Sequence, residues 1–152
     1  MAEETRYESG VERTYRTDEL EITWEPSLCT HASECWRSLP RVFDPRARPW
    51  VTPEGAAADQ IAEVVMRCPT GALGVRRTDG GLQELDLLGS AETRVEIVVN
   101  GPLEVRGALR FVREDGAVIR EATRASLCRC GHSRNKPFCD NSHRRVGWRE
   151  DS

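Results

Sequence analysis

The chain has 152 residues, 38% hydrophobic and 31% charged, with 25 acidic side chains against 22 basic ones and a net charge of −3. That balance excludes a general nucleic-acid binder, which is normally basic, and no apolar run reaches the ~18 residues that a membrane-spanning helix needs. There is room for one medium domain or two small ones, with a core thin enough to call for covalent or metal staples. The opening stretch, MAEETRYESGVERTYR, is charged and lacks the apolar segment of a secretory signal, so a reducing cytoplasm is the expected compartment. The six cysteines, Cys29, Cys35, Cys68, Cys128, Cys130 and Cys139, fall into two sets of three. Disulfides are rare in a reducing compartment, which leaves ligation of metal or a cluster as the preferred reading over three bridges.

Taken in chain order, residues 1–17 are polar and predict a frayed or edge segment. Leu20, Ile22 and Trp24 alternate with Glu21 and Thr23, the periodicity of a strand. Pro26 ends it, and Cys29 and Cys35 follow. The proline-rich stretch LPRVFDPRARPWVTP predicts an ordered loop anchored by Val42, Phe43 and Trp50. Thr52 and Pro53 predict the start of a helix, with Thr as N-cap and Pro in the first turn. Ala57, Ile61, Val64 or Val65, and Cys68 share one face of it at helical spacing. Pro69 stops the helix, Gly71 turns the chain, and Leu73 and Val75 fit a short returning strand. Residues 78–94 lack strong periodicity and divide the chain into a unit over 18–77 and another over 95–152. In the second, Val95, Ile97 and Val99 alternate as a strand, and Asn100-Gly101-Pro102 signals a turn. Leu103, Val105, Leu109 and Phe111 continue past a bend or bulge at Gly107. Asp115-Gly116 marks a hairpin turn leading to Val118 in the next strand.

The strongest chemical signal is Cys128-Arg-Cys130-Gly-His-Ser133-Arg-Asn-Lys136-Pro137-Phe138-Cys139-Asp140-Asn141-Ser142-His143. Cys-x-Cys places two thiols close together on an extended stretch, Pro137 stiffens the return leg, and Asp140 is suited to capping a short helix. His143 follows Cys139 by four residues, one helical turn. Two ligands thus come from each side of a compact loop, which suits two bridged irons with two protein ligands each. The competing reading is a Cys3His zinc site, but zinc sites more often space paired cysteines by two to four residues. His132, between Gly131 and Ser133, reads as a surface residue. The run resembles the CDGSH iron–sulfur family, matching its pattern everywhere except at Asn141, where that family has glycine. The resemblance, over about residues 95–150, implies a small β-rich module. It further implies a 2Fe–2S cluster with Cys128 and Cys130 on the inner iron and Cys139 and His143 on the outer one. Ser133, Lys136, Pro137 and Asp140 would surround these ligands. It also implies a homodimer.

The other set is Cys29-Thr-His31-Ala32-Ser-Glu-Cys35 followed by Cys68-Pro69-Thr-Gly71. Bacterial ferredoxins use Cys-x2-Cys-x2-Cys with a distant Cys-Pro. Here the middle position is Ala32, which has no donor atom. Three thiolates suit a 3Fe–4S cluster, or a 4Fe–4S cluster completed by His31 or by a ligand from outside. The alternative is a set of buried free cysteines. Residues 20–75 resemble the divergent single-cluster 4Fe–4S ferredoxin-like family and the 3Fe–4S ferredoxins that serve bacterial monooxygenases. The fold class expected from these readings is α+β, a ferredoxin-like module followed by a small β-rich one.

Nothing in the sequence resembles a nucleophile–base pair or a phosphate-binding loop, so no catalytic residue and no enzyme are expected. Electron transfer with a redox partner, a reductase or an acceptor, is the preferred role. The alternatives are donation of a cluster to an apo-acceptor or sensing of redox state or pH, and a structural zinc module.

Overall fold

The computed structural model describes residues 12–151. Two three-stranded antiparallel sheets form an α+β fold, one from each half of the chain, in the orders β1-β2-β3 and β4-β5-β6. In the first, the apolar alternation of β2 (Leu20–Trp24) places it centrally, with β1 (Arg13–Arg16) on one side and β3 (Leu73–Arg77) on the other. Ile22 lies opposite Val75, and both are buried with Leu20. The polar strand β1 sits at the edge, as read for residues 13–16; the remainder of that reading, residues 1–11, lies outside the described residues.

The proline-rich loop is ordered around Val42, Phe43 and Val51, all 1% exposed or less, and Trp50 packs edge-on against Trp24 with centroids 4.9 Å apart. It follows the short helix α1 (Glu34–Ser38). The helix expected from Thr52 onward begins later. Pro53–Gly55 forms a single 3-10 turn, Thr52 makes no side-chain cap, and α2 spans Ala58–Val65. The delay has a steric cause. A Cβ at Gly55 would lie 2.3 Å from the carbonyl oxygen of Arg41, so the chain runs tight against the preceding loop and breaks direction before the helix starts. Ala57, expected on the helix face, is the N-cap instead. Cys68 also lies beyond the helix; its N–H donates to Val65 in the closing turn (3.0 Å). It packs on the same core from there.

In the second sheet, β5 (Leu103–Val112) and β6 (Val118–Leu127) form a long hairpin closed at Asp115-Gly116, where Gly116 has φ 92°. The register shifts between Arg106 and Leu109, the bulge expected at Gly107. Strand β4 (Arg94–Ile97) pairs along β5 and stops before Val99. Val95 and Ile97 alternate as expected but are 57% and 63% exposed.

Residues 78–94 carry the short helix α3 (Glu84–Leu87). Glu84 accepts from the Val75 N–H (2.6 Å) and the Thr123 hydroxyl (2.6 Å), and pairs with Arg124 (3.1 Å). The halves also share an apolar cluster, Leu28 and Ala72 from one and Ala125 and Phe138 from the other. Among the described residues no helix is long and apolar enough to cross a membrane.

Candidate metal centres

The C-terminal donors are placed by the end of the long hairpin. Beyond Leu127 the chain loops out and returns, and Phe138 bridges back to Leu127. The Cys128 N–H donates to Pro137 (2.9 Å) and the Cys139 N–H to Ser126 (2.8 Å), so Pro137 sits on a return leg locked to β6. Buried Ser133 shapes the turn by donating to Phe138 (2.6 Å) and accepting from the Asn135 N–H (3.0 Å). Lys136 is half-buried on the same leg. Asp140 accepts from the N–H groups of Arg134 and Ser142, both at 3.0 Å. The Ser142 contact tethers the start of the short helix α4 (Ser142–Arg145). Asn141 takes the left-handed φ of 69° that turns the chain into this helix.

The four expected ligands fall into two pairs. Cys128 Sγ lies 3.7 Å from Cys130 Sγ, and Cys139 Sγ lies 3.8 Å from His143 Nδ1. All four line one small cavity, closed by Gly101 and Pro102. Backbone N–H groups of His132 and Asn141 point at the sulfurs of Cys130 and Cys139, each at 3.4 Å. Burial pushes both of these thiols above the ordinary value, so their deprotonation depends on what the N–H donors and a bound cation supply. Burial, and then Arg144, hold His143 below the usual imidazole value against the pull of Asp140. This favours the neutral, ligating form. A tetrahedral zinc site gathers four donors about one point. Among the described residues no three of His, Cys, Asp and Glu are gathered that way. The donors stand instead as two pairs around one cavity, which is compatible with a two-iron group. His132 is exposed, as expected.

The N-terminal donors surround a cavity of about 560 Å³ lined by Cys29, His31, Cys35 and Cys68, with Trp24 and Trp50 in its wall. Cys29 follows a 3-10 turn at Pro26–Leu28, Cys35 lies in α1, and Cys68 comes from the turn after α2. Left-handed residues His31 (φ 59°) and Ser33 (φ 71°) curl the loop between the first two. His31 is brought to the site, its Nδ1 lying 3.9 Å from Cys29 Sγ. Ala32 is exposed on the same rim. Burial, assisted by the other two thiols, pushes Cys35 up to about 11. Burial raises Cys29 as well, opposed by N–H donation from His31 and the Trp24 indole. All six cysteines are free. Three thiols lining one cavity are donors of the kind that hold iron in a cluster.

The residues that join these sites were not anticipated. Arg124 on β6 is 1% exposed, and its guanidinium donates to the carbonyls of Val65 (2.6 Å), Cys68 (3.0 Å) and Leu73 (2.7 Å). Ser126 donates to Pro69 (3.2 Å), and Arg120 pairs with buried Glu25. The Cys68-Pro69 turn is thus held by the second sheet. Gly71 has φ 74°, and a Cβ there would lie 2.4 Å from the Arg124 carbonyl oxygen. Asn135 donates to Ser27 and Asn141 to Thr30, both at 2.7 Å. Arg129, between two expected ligands, donates to Val98 and Gly101 and pairs with Glu150, each at 2.6–2.7 Å. It also stacks 5.1 Å from the Trp148 ring. The sequence held faint signals of two of these: an arginine set among small residues in a strand, and an asparagine in place of the related family's glycine.

Comparison with known proteins agrees with both resemblances and their order. Residues 15–78 match a family described as a divergent 4Fe-4S mono-cluster. Residues 100–144 match one described as an iron-binding zinc finger, CDGSH type. The chain is also 27% identical over 67 residues to Uncharacterized protein YjdI of Escherichia coli strain K12, covering 44% of this chain and 88% of that protein. The protein of the same name from Escherichia coli O157:H7 matches equally.

Proposed function

For a chain that joins a divergent 4Fe-4S mono-cluster domain to a CDGSH-type domain, we propose the role of an iron–sulfur electron carrier. Cys128, Cys130, Cys139 and His143 would hold a 2Fe–2S cluster. Cys29, Cys35 and Cys68 in a ferredoxin-like module would hold a 3Fe–4S or 4Fe–4S cluster, with His31 placed to complete the latter. The observation that carries the reading is the pairing of Cys128 with Cys130 and of Cys139 with His143 across one cavity. Such clusters supply reversible one-electron chemistry, tuned by ligand type, hydrogen bonds to sulfur and exposure. The chain supplies that tuning. The N–H groups of His132 and Asn141 offset negative charge on sulfur, His143 stands as a neutral ligand, and Trp24 and Trp50 give the N-terminal cavity an aromatic wall.

The partner in this reading is a one-electron reductase or acceptor. The uncovered apolar side chains of the edge strand β4, Val95 and Ile97, support a homodimer in which two copies cover that strand, a state that light scattering measures directly.

The test is iron and sulfide analysis, visible and EPR spectra, and a redox titration of anaerobically purified protein. Sulfide in excess of a single 2Fe–2S centre and reversible reduction are expected. A colourless protein carrying zinc would overturn the reading. Intact transfer of the cluster to an apo-ferredoxin without reversible cycling would replace it with cluster donation.

A further inference from the structure

We infer that the two centres exchange an electron directly within one chain, and that Asn141 is the residue that positions their ligand loops for it. The inference rests on both donor sets holding clusters as proposed above.

Asn141 lies between Cys139 and His143. Its backbone N–H points at Cys139 Sγ (3.4 Å), and its side-chain amide donates to the carbonyl of Thr30 (2.7 Å). Thr30 in turn lies between Cys29 and His31. One residue therefore touches a ligand sulfur of one site and the backbone joining two donors of the other. Asn135 makes a parallel bond to Ser27 (2.7 Å), just before Cys29. Behind both, Leu28, Ala72, Ala125 and Phe138 close the interface with apolar side chains that exclude water. The left-handed φ of 69° at Asn141 does not by itself call for asparagine, since glycine adopts it more freely. The side-chain amide is what glycine would lack, and that amide is spent across the interface.

The step is a single electron transfer. With both groups bound, they would supply one-electron chemistry between the modules, the reduced one giving up the electron that the oxidised one takes, with no bond made or broken and no proton moved. A one-electron donor protein loads the pair and a one-electron acceptor unloads it.

The experiment uses the full-length anaerobic protein, photoreduced by a flash-generated one-electron reductant, with each centre followed at its own absorbance. Electron redistribution should show a first-order phase whose rate is independent of protein concentration. EPR spectra of the fully reduced protein should show magnetic interaction between the centres. Asn141→Gly keeps the backbone conformation, and Asn141→Asp keeps the size but sets an acceptor against the Thr30 carbonyl. Both should retain iron and sulfide yet slow the internal phase and weaken the magnetic interaction. Arg110→Ala, at an exposed ion pair with Glu121 on the hairpin, should leave both unchanged. A wild-type rate proportional to protein concentration would overturn the relay, and an Asn141→Gly rate equal to wild type would overturn the assignment of Asn141. Loss of a cluster from both Asn141 variants would reduce that residue to a structural role and overturn its assignment. Iron for only one centre would instead sink the two-cluster reading, while two reversible centres with no internal phase would sink the relay alone.

Discussion

Arg124→Met tests whether the two halves stand or fall together. The side chain of Arg124 is fully buried between the sheets and satisfies three carbonyls of the first half plus the carboxylate of Glu84. Methionine keeps much of the aliphatic volume and removes every donor. Breaking a buried pair by deleting one partner costs about 3–5 kcal/mol, because the other charge stays behind without compensation. Glu84 retains the Val75 N–H and the Thr123 hydroxyl, which softens the loss. The orphaned carbonyls of Val65, Cys68 and Leu73 add to it, at ~1–3 kcal/mol for each one left dry. The broken pair's share alone, about 3–5 kcal/mol, is a large part of a domain's usual stability, and for a chain of this size it lowers the melting temperature by at least about 6–20 °C. The assay is far-UV circular dichroism during heating, on the loaded and on the metal-free reduced protein, since bound clusters raise apparent stability by linkage. Arg124→Lys should recover part of the loss, because one ammonium cannot reach three carbonyls in a fixed fork. In a double-mutant cycle, Glu84→Gln should cost less on the Arg124→Met background than on wild type. Arg124→Met melting within about 2 °C of wild type would refute the argument that this guanidinium holds the interface.

Further outcomes follow from the same geometry. Gly71→Ala, at φ 74° and with a Cβ 2.4 Å from the Arg124 carbonyl, should lower the melting temperature and the iron content, because strain and clash outweigh the ~0.4–1 kcal/mol by which an unstrained glycine replacement stabilises. Cys68→Ala should remove the N-terminal EPR signal and leave the C-terminal visible spectrum; joint loss from a folded protein would contradict separate ligand sets. Ala32→Cys supplies the missing middle thiolate as a fourth ligand, so iron loss on oxidation should slow, as measured by EPR of the air-exposed protein. In acid, two losses should separate. The depressed His143 contributes stability that is complete above about pH 6.5 and fades below it, and protons then compete with iron for the imidazole. Asp140 and Glu150, held below ordinary carboxylates, lose their contribution only below about pH 4. Bleaching should therefore precede unfolding, and His143→Cys should slow the bleaching and lower the midpoint potential, with circular dichroism below about pH 4 unchanged.

Local physics made much of this molecule legible before its structure. Alternation located β2, β3, β5 and β6, the Asp115-Gly116 turn closed the hairpin it announced, and the donor spacing gathered each ligand set around its own cavity. The errors have identifiable causes. Thr52 and Pro53 carry a helix-start signal, but the tight approach of Gly55 to Arg41 delays the helix to Ala58, and no local signal contains that approach. Alternation in β4 gave a strand without saying that its apolar side chains would stay exposed. The residues that bind the halves together stayed hidden for a related reason. Thr123, Arg124, Ala125 and Ser126 are all buried in succession, because β6 is covered on both faces where the first half packs. A strand buried on both faces normally declares itself as a continuous apolar run, and this one is polar because its neighbours there are carbonyls at the end of α2 and the start of β3. Its burial is set by a hydrogen-bonding partner more than fifty residues away, and no window along the sequence contains both. Asn141 shows the same limit at one residue. Its conformation could be read from its neighbours, but its side chain answers to Thr30 in the other half.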